Sequence, residues 1–165
     1  MARSGGVVRL VISVVALVVM FCLGWVVAKT GTGEAVPTSD LSALERDFTE
    51  RMQDVTMVGH FTIEGRETRG GSPERYEIAS VTKVGQDQWR FEVRMVYASV
   101  DVTLPVVVPM VWAGDTPMVS ITDFSIPGLE GTFTSRVFFY TDRYAGSWQH
   151  GQYGGLMYGH IEGMD

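Results

Sequence analysis

His60, His150 and His160 are the only imidazoles in the 165-residue chain. Imidazole is the commonest side-chain ligand for transition metals, so these three are the first place to look for metal chemistry. A metal site needs ligands that converge on one point. If residues 151–155 form a hairpin turn, His150 pairs opposite Leu156 and His160 opposite Gly146. The two histidines then share a face but lie four residues apart along the strands, about 13 Å at the usual rise. They cannot share a metal in that register, and His60 would have to reach one of them across the fold. No metal and no other cofactor is predicted.

The acids expected in loops are Asp87, Asp101, Asp115, Asp123, Glu130 and Asp142. Asp115 and Asp123 flank one apolar segment, and paired carboxylates can serve as general acid and base. Aspartate in a turn also bonds to nearby backbone amides, and Asp115-Thr116-Pro117 reads as ordinary turn chemistry. No nucleophile, base and orienting group occur at a telling spacing, so no catalytic residue is assigned and the chain is not read as an enzyme. Gly70-Gly71 with Arg66, Arg69 and Arg75 offers a place for an anion. No strand–glycine loop–helix context accompanies it, and a flexible basic hairpin loop accounts for it better.

What remains is a set of aromatic and apolar residues, and the element that displays them best is residues 88–97, QWRFEVRMVY. Trp89, Phe91, Val93, Met95 and Tyr97 alternate with Arg90, Glu92 and Arg94. Strand side chains point to opposite faces with a period of two, so one face is apolar and the other charged. That is a half-buried antiparallel strand. With Trp148, the apolar face of this strand is the candidate lining for a ligand cavity; the competing account is a filled core, which small barrels usually have.

The neighbouring segments repeat the pattern. Strands are predicted over 56–63, 75–84, 88–97, 102–112, 118–124, 132–141, 143–150 and 156–162. Between them lie a glycine-rich loop (64–74), turns at 85–87 and 113–117, a connection at 98–101, a loop at 125–131 and the turn at 151–155. Residues 102–112 hold Pro105 and Pro109, which cannot donate to a ladder, so this segment is predicted to be an edge, a bulged strand or two short strands. As an edge, Val102, Pro105, Pro109 and Trp112 are the candidate surface for a protein partner. Eight or nine short strands at close spacing, with no strand–helix–strand alternation, predict an all-β fold, an antiparallel barrel or strongly curved sheet.

Before the strands, Leu41, Leu44, Phe48, Met52 and Val55 recur at three and four, predicting an amphipathic helix over about 40–54. Ser39 or Ser42 can cap it, and Glu45 follows Ser42 by three as in a capping box. The helix is expected to cover an end or edge of the sheet rather than to bind a partner or a membrane surface.

The chain divides into 1–29, a cytoplasmic tip and anchor; 30–38, a linker of turn residues; and 39–165, the β domain with its leading helix. Residues 10–28 carry no charge and at helical rise span about 28 Å, close to the bilayer core. Arg3 and Arg9 place the N-terminus in the cytoplasm and the β domain outside, on the periplasmic side. The rival is a signal peptide cleaved after Ala28, where Val26-x-Ala28 fits a processing site. The first 29 residues hold Arg3, Arg9 and Lys29 and none of the 19 acids, which leaves 19 acids against 10 bases beyond them. So acidic a surface excludes nucleic acid as a partner. Cys22, the single cysteine, lies in the apolar run, so no disulfide can form within the β domain.

The phrases WAGDTP (112–117), IPG (126–128) and YAGSWQHG…GG…M.G (144–159) resemble an uncharacterised family of small bacterial proteins with one N-terminal membrane segment. That family has no assigned activity, so the resemblance implies no catalytic residue. More loosely, Gly-x-Trp followed by a glycine-rich hairpin is similar to strands of calycin barrels, the lipocalin and avidin type. Composition and pattern together lead to two expectations: a membrane-anchored barrel that binds a small apolar or amphipathic ligand, or an envelope assembly protein that binds a protein partner.

Overall fold

The computed structural model describes residues 33–66, 70–97, 100–125 and 131–163. The predicted membrane segment, residues 10–28, lies outside these. Among the described residues no helix is long and apolar enough to cross a membrane.

Eight antiparallel strands form a closed barrel in which each strand pairs with the next and the last pairs with the first. They are β1 (Val55–Phe61), β2 (Ser72–Lys83), β3 (Gln88–Tyr97), β4 (Val100–Ala113), β5 (Thr116–Ser125), β6 (Thr132–Tyr140), β7 (Arg143–His150) and β8 (Tyr153–Glu162). A helix, α1 (Ala43–Arg51), precedes them. Ser42 caps it: the Glu45 amide donates to the Ser42 hydroxyl, and the Ser42 amide donates to the Glu45 carboxylate. The helix is shorter than the apolar period predicts. Leu41, Phe48, Met52 and Val55 are buried as expected, but Leu44 is exposed.

α1 is a stopper at one end of the barrel. Phe48 points into the lumen, its ring edge-on to Trp89 (5.8 Å between centroids) and Trp112 (6.0 Å) and tilted against Phe139 (5.6 Å). These three come from the same ends of β3, β4 and β6. Lys83, at the end of β2, forms an ion pair with Glu45 of the helix. Burial alone would raise the Glu45 carboxyl, but the bonds from Lys83 and Ser42 outweigh it and hold the group below its ordinary value. The chain enters the domain at this same end, where the Val36 amide donates to the Lys83 carbonyl.

Several predicted boundaries change: β2 starts at Ser72 rather than 75, β4 at Val100 rather than 102, and β5 runs over Thr116–Ser125 rather than 118–124. Residues 102–112 are neither two strands nor bulged: β4 runs unbroken through both prolines, paired with β3 from Val100 to Pro109. Its ladder to β5 covers only Met110–Ala113. The Met110 amide donates toward β3, to the Asp87 carbonyl. Successive amides in a strand point to opposite sides, so positions 109, 107 and 105 aim at β5. Two of these three are prolines. The ladder therefore stops where Pro109 would have to donate across the β4–β5 seam.

The turn after β7 is also tighter than predicted. Gly151 (φ +57°) and Gln152 suffice, and β8 begins at Tyr153. His150 then pairs with Tyr153 and His160 with Arg143, not with Leu156 and Gly146. His150 lies on the inward face with Tyr144, and His160 on the outer face.

Candidate functional site

Pairing partners share a face of the sheet, so the inward face can be followed around the barrel from buried Tyr144. In the half next to α1 that face is packed: Trp89, Phe91 and Val93 are buried, with Met57, Ile78, Val81, Met110, Val137 and Phe139 around them. The opposite half differs. Phe61, Ser72, Ser135, Trp148 and Met157 also point inward by register, yet each is partly exposed. A side chain facing the inside of a barrel gains exposure from the lumen, from its mouth or from a gap in the wall such as the unpaired part of the β4–β5 seam. α1 and the aromatic cluster thus close one end of the barrel, and toward the other end these inward side chains are less covered.

Between the packed end and the less covered end lies Glu74. It is 4% exposed, the one buried charged side chain among the described residues. Its two oxygens each accept one phenol: Tyr76 Oη donates to Oε2 and Tyr144 Oη to Oε1, both at 2.9 Å. Two glycines make this geometry. Gly59 pairs with Glu74 on one side and with Gly159 on the other, and Gly159 pairs with Tyr144. A Cβ at Gly59 would lie 2.3 Å from the Tyr144 hydroxyl, and one at Gly159 would lie 2.7 Å from its ring. The Tyr144 ring therefore crosses the two bare strands to reach the carboxylate on the third. Burial raises the Glu74 carboxyl above its ordinary value, against the lowering pull of Tyr144, Tyr76 and the nearby His60. Tyr144 is raised as well, by burial and by the carboxylate it faces.

Toward the less covered end the inward face carries aromatic rings. Phe61 and Trp148 meet edge to face at 6.3 Å. Phe133 and His150 stack at 3.9 Å across β6 and β7. The indole N–H of Trp148 is buried with no partner among the described residues.

The predicted ligand-binding residues therefore divide. Trp89, Phe91 and Val93 belong to the packed end, Trp148 to the less covered end, and Met95 and Tyr97 lie in β3 with side chains outside the described residues. Of the predicted partner edge, Trp112 is inward and packs on Phe48, Pro105 and Pro109 lie along the β4–β5 seam, and the Val102 side chain is outside the described residues. The loop acids are dispersed. Asp115 accepts from Thr116, Asp101 binds Arg94, and Asp123 accepts from Thr134. Asp115 and Asp123 stand at opposite ends of β5, more than about 20 Å apart along it. Glu130 and Arg69 lie outside the described residues. Among those described, no three metal-ligating side chains are grouped. Glu74 escapes a sequence reading that assigns residues 64–74 to a loop, whereas Tyr144 falls in a predicted strand and among the aromatic residues that could line a cavity. The available signal is that Glu74, Tyr76 and Ile78 fall two apart.

A second concavity lies on the outer wall, across β6, β7, β8 and β1. It is a groove of about 520 Å³ edged by Phe138, Tyr140 and Tyr158, with His60, His160 and Arg143 beside them. Phe138, Tyr140 and Tyr158 are all exposed. The outer wall of β2–β4 is its opposite, laced by Arg94 to Asp101 and Glu77 and by Arg75 to Glu77.

Comparison with protein-family models, with curated proteins and with solved structures finds no match.

Proposed function

We propose that this domain is a binding module: a stoppered barrel that takes a small apolar or amphipathic ligand into the half that α1 leaves open. One observation carries the reading. Phe48 and the rings around it close one end of the barrel, while Phe61, Ser135 and Trp148, inward by register toward the other end, stay partly exposed, which fits a lumen with one mouth better than a core filled throughout. The similarity of Gly146-x-Trp148 and the glycine-rich hairpin after it to calycin strands supports the same reading. In this proposal residues 10–28 anchor the protein in a membrane with the β domain outside the cytoplasm. Because the chain enters at the stoppered end, such an anchor holds that end toward the bilayer and leaves the mouth facing away.

Native mass spectrometry of the full chain released from detergent tests it. The expected result is a small-molecule adduct that disappears in a Met157→Trp variant, whose added ring occupies the open half. A folded protein that carries no adduct overturns the reading. A second reading, an envelope protein that binds a protein partner, is favoured by the exposed rings of the outer groove. It is less well served by the β4 edge, because prolines at two of three outward-aimed amides discourage strand addition there. In the same spectra it predicts a protein adduct lost on Phe138→Ser.

A further inference from the structure

We infer that the ligand of the open half carries a cationic ammonium head, and that Glu74 is the group that receives it. The inference rests on the cavity reading above and adds the chemistry of its interior. An ionised carboxylate offers about four lone-pair sites, and the two phenols use one on each oxygen. Both donors are neutral, so among the described residues no group hydrogen-bonded to Glu74 supplies the opposite charge. Among the described residues the basic group whose field reaches it is His60, which faces outward from the neighbouring strand. A charge so deeply placed is costly unless a counter-charge joins it.

The walls fit the same class of ligand. Phe61 and Trp148 stand above the carboxylate on the inward face, and a cation is drawn to the faces of aromatic rings, to indole most of all. Aromatic walls over a single carboxylate favour an organic ammonium over a carboxylate or a phosphate, which Glu74 would repel. A purely apolar ligand would leave Glu74 as underpaired as it found it. The two-glycine crossing that lets Tyr144 reach Glu74 fixes the carboxylate in position from both sides, so the receiving group is held before the ligand arrives.

The test is isothermal titration of the full chain with three soluble probes of similar size: 2-phenylethylammonium, 3-phenylpropanol and 3-phenylpropanoate. The ammonium is expected to bind roughly tenfold or more tighter than the alcohol, and the propanoate weakest. Glu74→Gln, whose amide can still accept from one phenol and donate to the other, is expected to erase the difference between ammonium and alcohol while alcohol binding persists. Tyr76→Phe, which keeps the carboxylate, is expected to keep the preference, so a folding defect in one variant does not decide the matter. Equal binding of ammonium and alcohol by the native chain overturns the inference but leaves the cavity reading in place. Binding of none of the three counts against the cavity reading itself, and the inference falls with it.

Discussion

Glu74 is the residue at which burial and charge are most at odds, and the conflict has a sign. Burial is the largest influence on its carboxyl and raises it from the ordinary 4.5. A carboxyl raised in the folded state adds stability that is fully present below 4.5 and is lost as pH rises through the folded value. Glu74→Gln removes this dependence. The melting temperature of the native chain is therefore expected to fall relative to the variant as pH rises from about 4 to about 8, with the two closest at the acid end. Melting curves across that range, followed by circular dichroism, check it; a gap that narrows toward alkaline pH would show the carboxylate to be well compensated. In the sequence this residue is half legible. Gly70, Gly71 and Pro73 are turn signals, and they pull the expected start of the strand past Glu74 to Arg75. The period of two that continues through Tyr76 and Ile78 places Glu74 on the inward face. What makes a glutamate tolerable there is Tyr144, seventy residues on, and nothing local announces that contact.

At the scale of elements, α1 closes one end of the barrel and completes the core there. Its Phe48 ring occupies the centre of the packed half and touches three strands. Phe48→Ala removes the stopper's tip while leaving the Ser42–Glu45 cap and the Glu45–Lys83 pair in place. The expected cost is about 3–5 kcal/mol, the range for deleting a buried aromatic ring, read as a lowered urea midpoint with little change in slope. A loss near zero would mean that the ring does not hold the stopper in place. The helix itself is legible in sequence through its capping box and apolar stripe. Its docking is less so, since the same stripe would serve an edge or an end of the sheet. Leu44 shows the limit of the periodicity: it fits the stripe, but so short a helix seated end-on in a barrel buries a narrower face than one laid along a sheet. The prolines of β4 were legible as donors missing from a ladder. Which ladder they interrupt depends on the phase of the amide directions, and that phase appears only once Met110 is seen to donate toward β3.

For the molecule as a whole, the decisive step is the closure of β1 on β8. Alternation and short turns predict antiparallel neighbours one after another, and they are silent on whether the first strand meets the last. That meeting depends on Gly59 and Gly159 coming opposite each other, a contact between residues a hundred positions apart, and on the tight approach that two glycines allow. Closure leaves β1 with partners on both sides, seven residue pairs with β2 and six with β8. Removing residues 153–165 would expose the pairing edges of β1 and β7 together and open the inward face to solvent. The core would suffer too, because Ile161 is buried in the cluster that includes Met57 and Phe48. The shortened chain is therefore expected to lose its cooperative melting transition and to aggregate through its two free edges, rather than to persist as a seven-stranded open sheet. Size-exclusion chromatography with circular dichroism separates these outcomes. A soluble monomer that keeps the native β signal would show that the sheet's stability lies in its sequential hairpins and not in the ring they close.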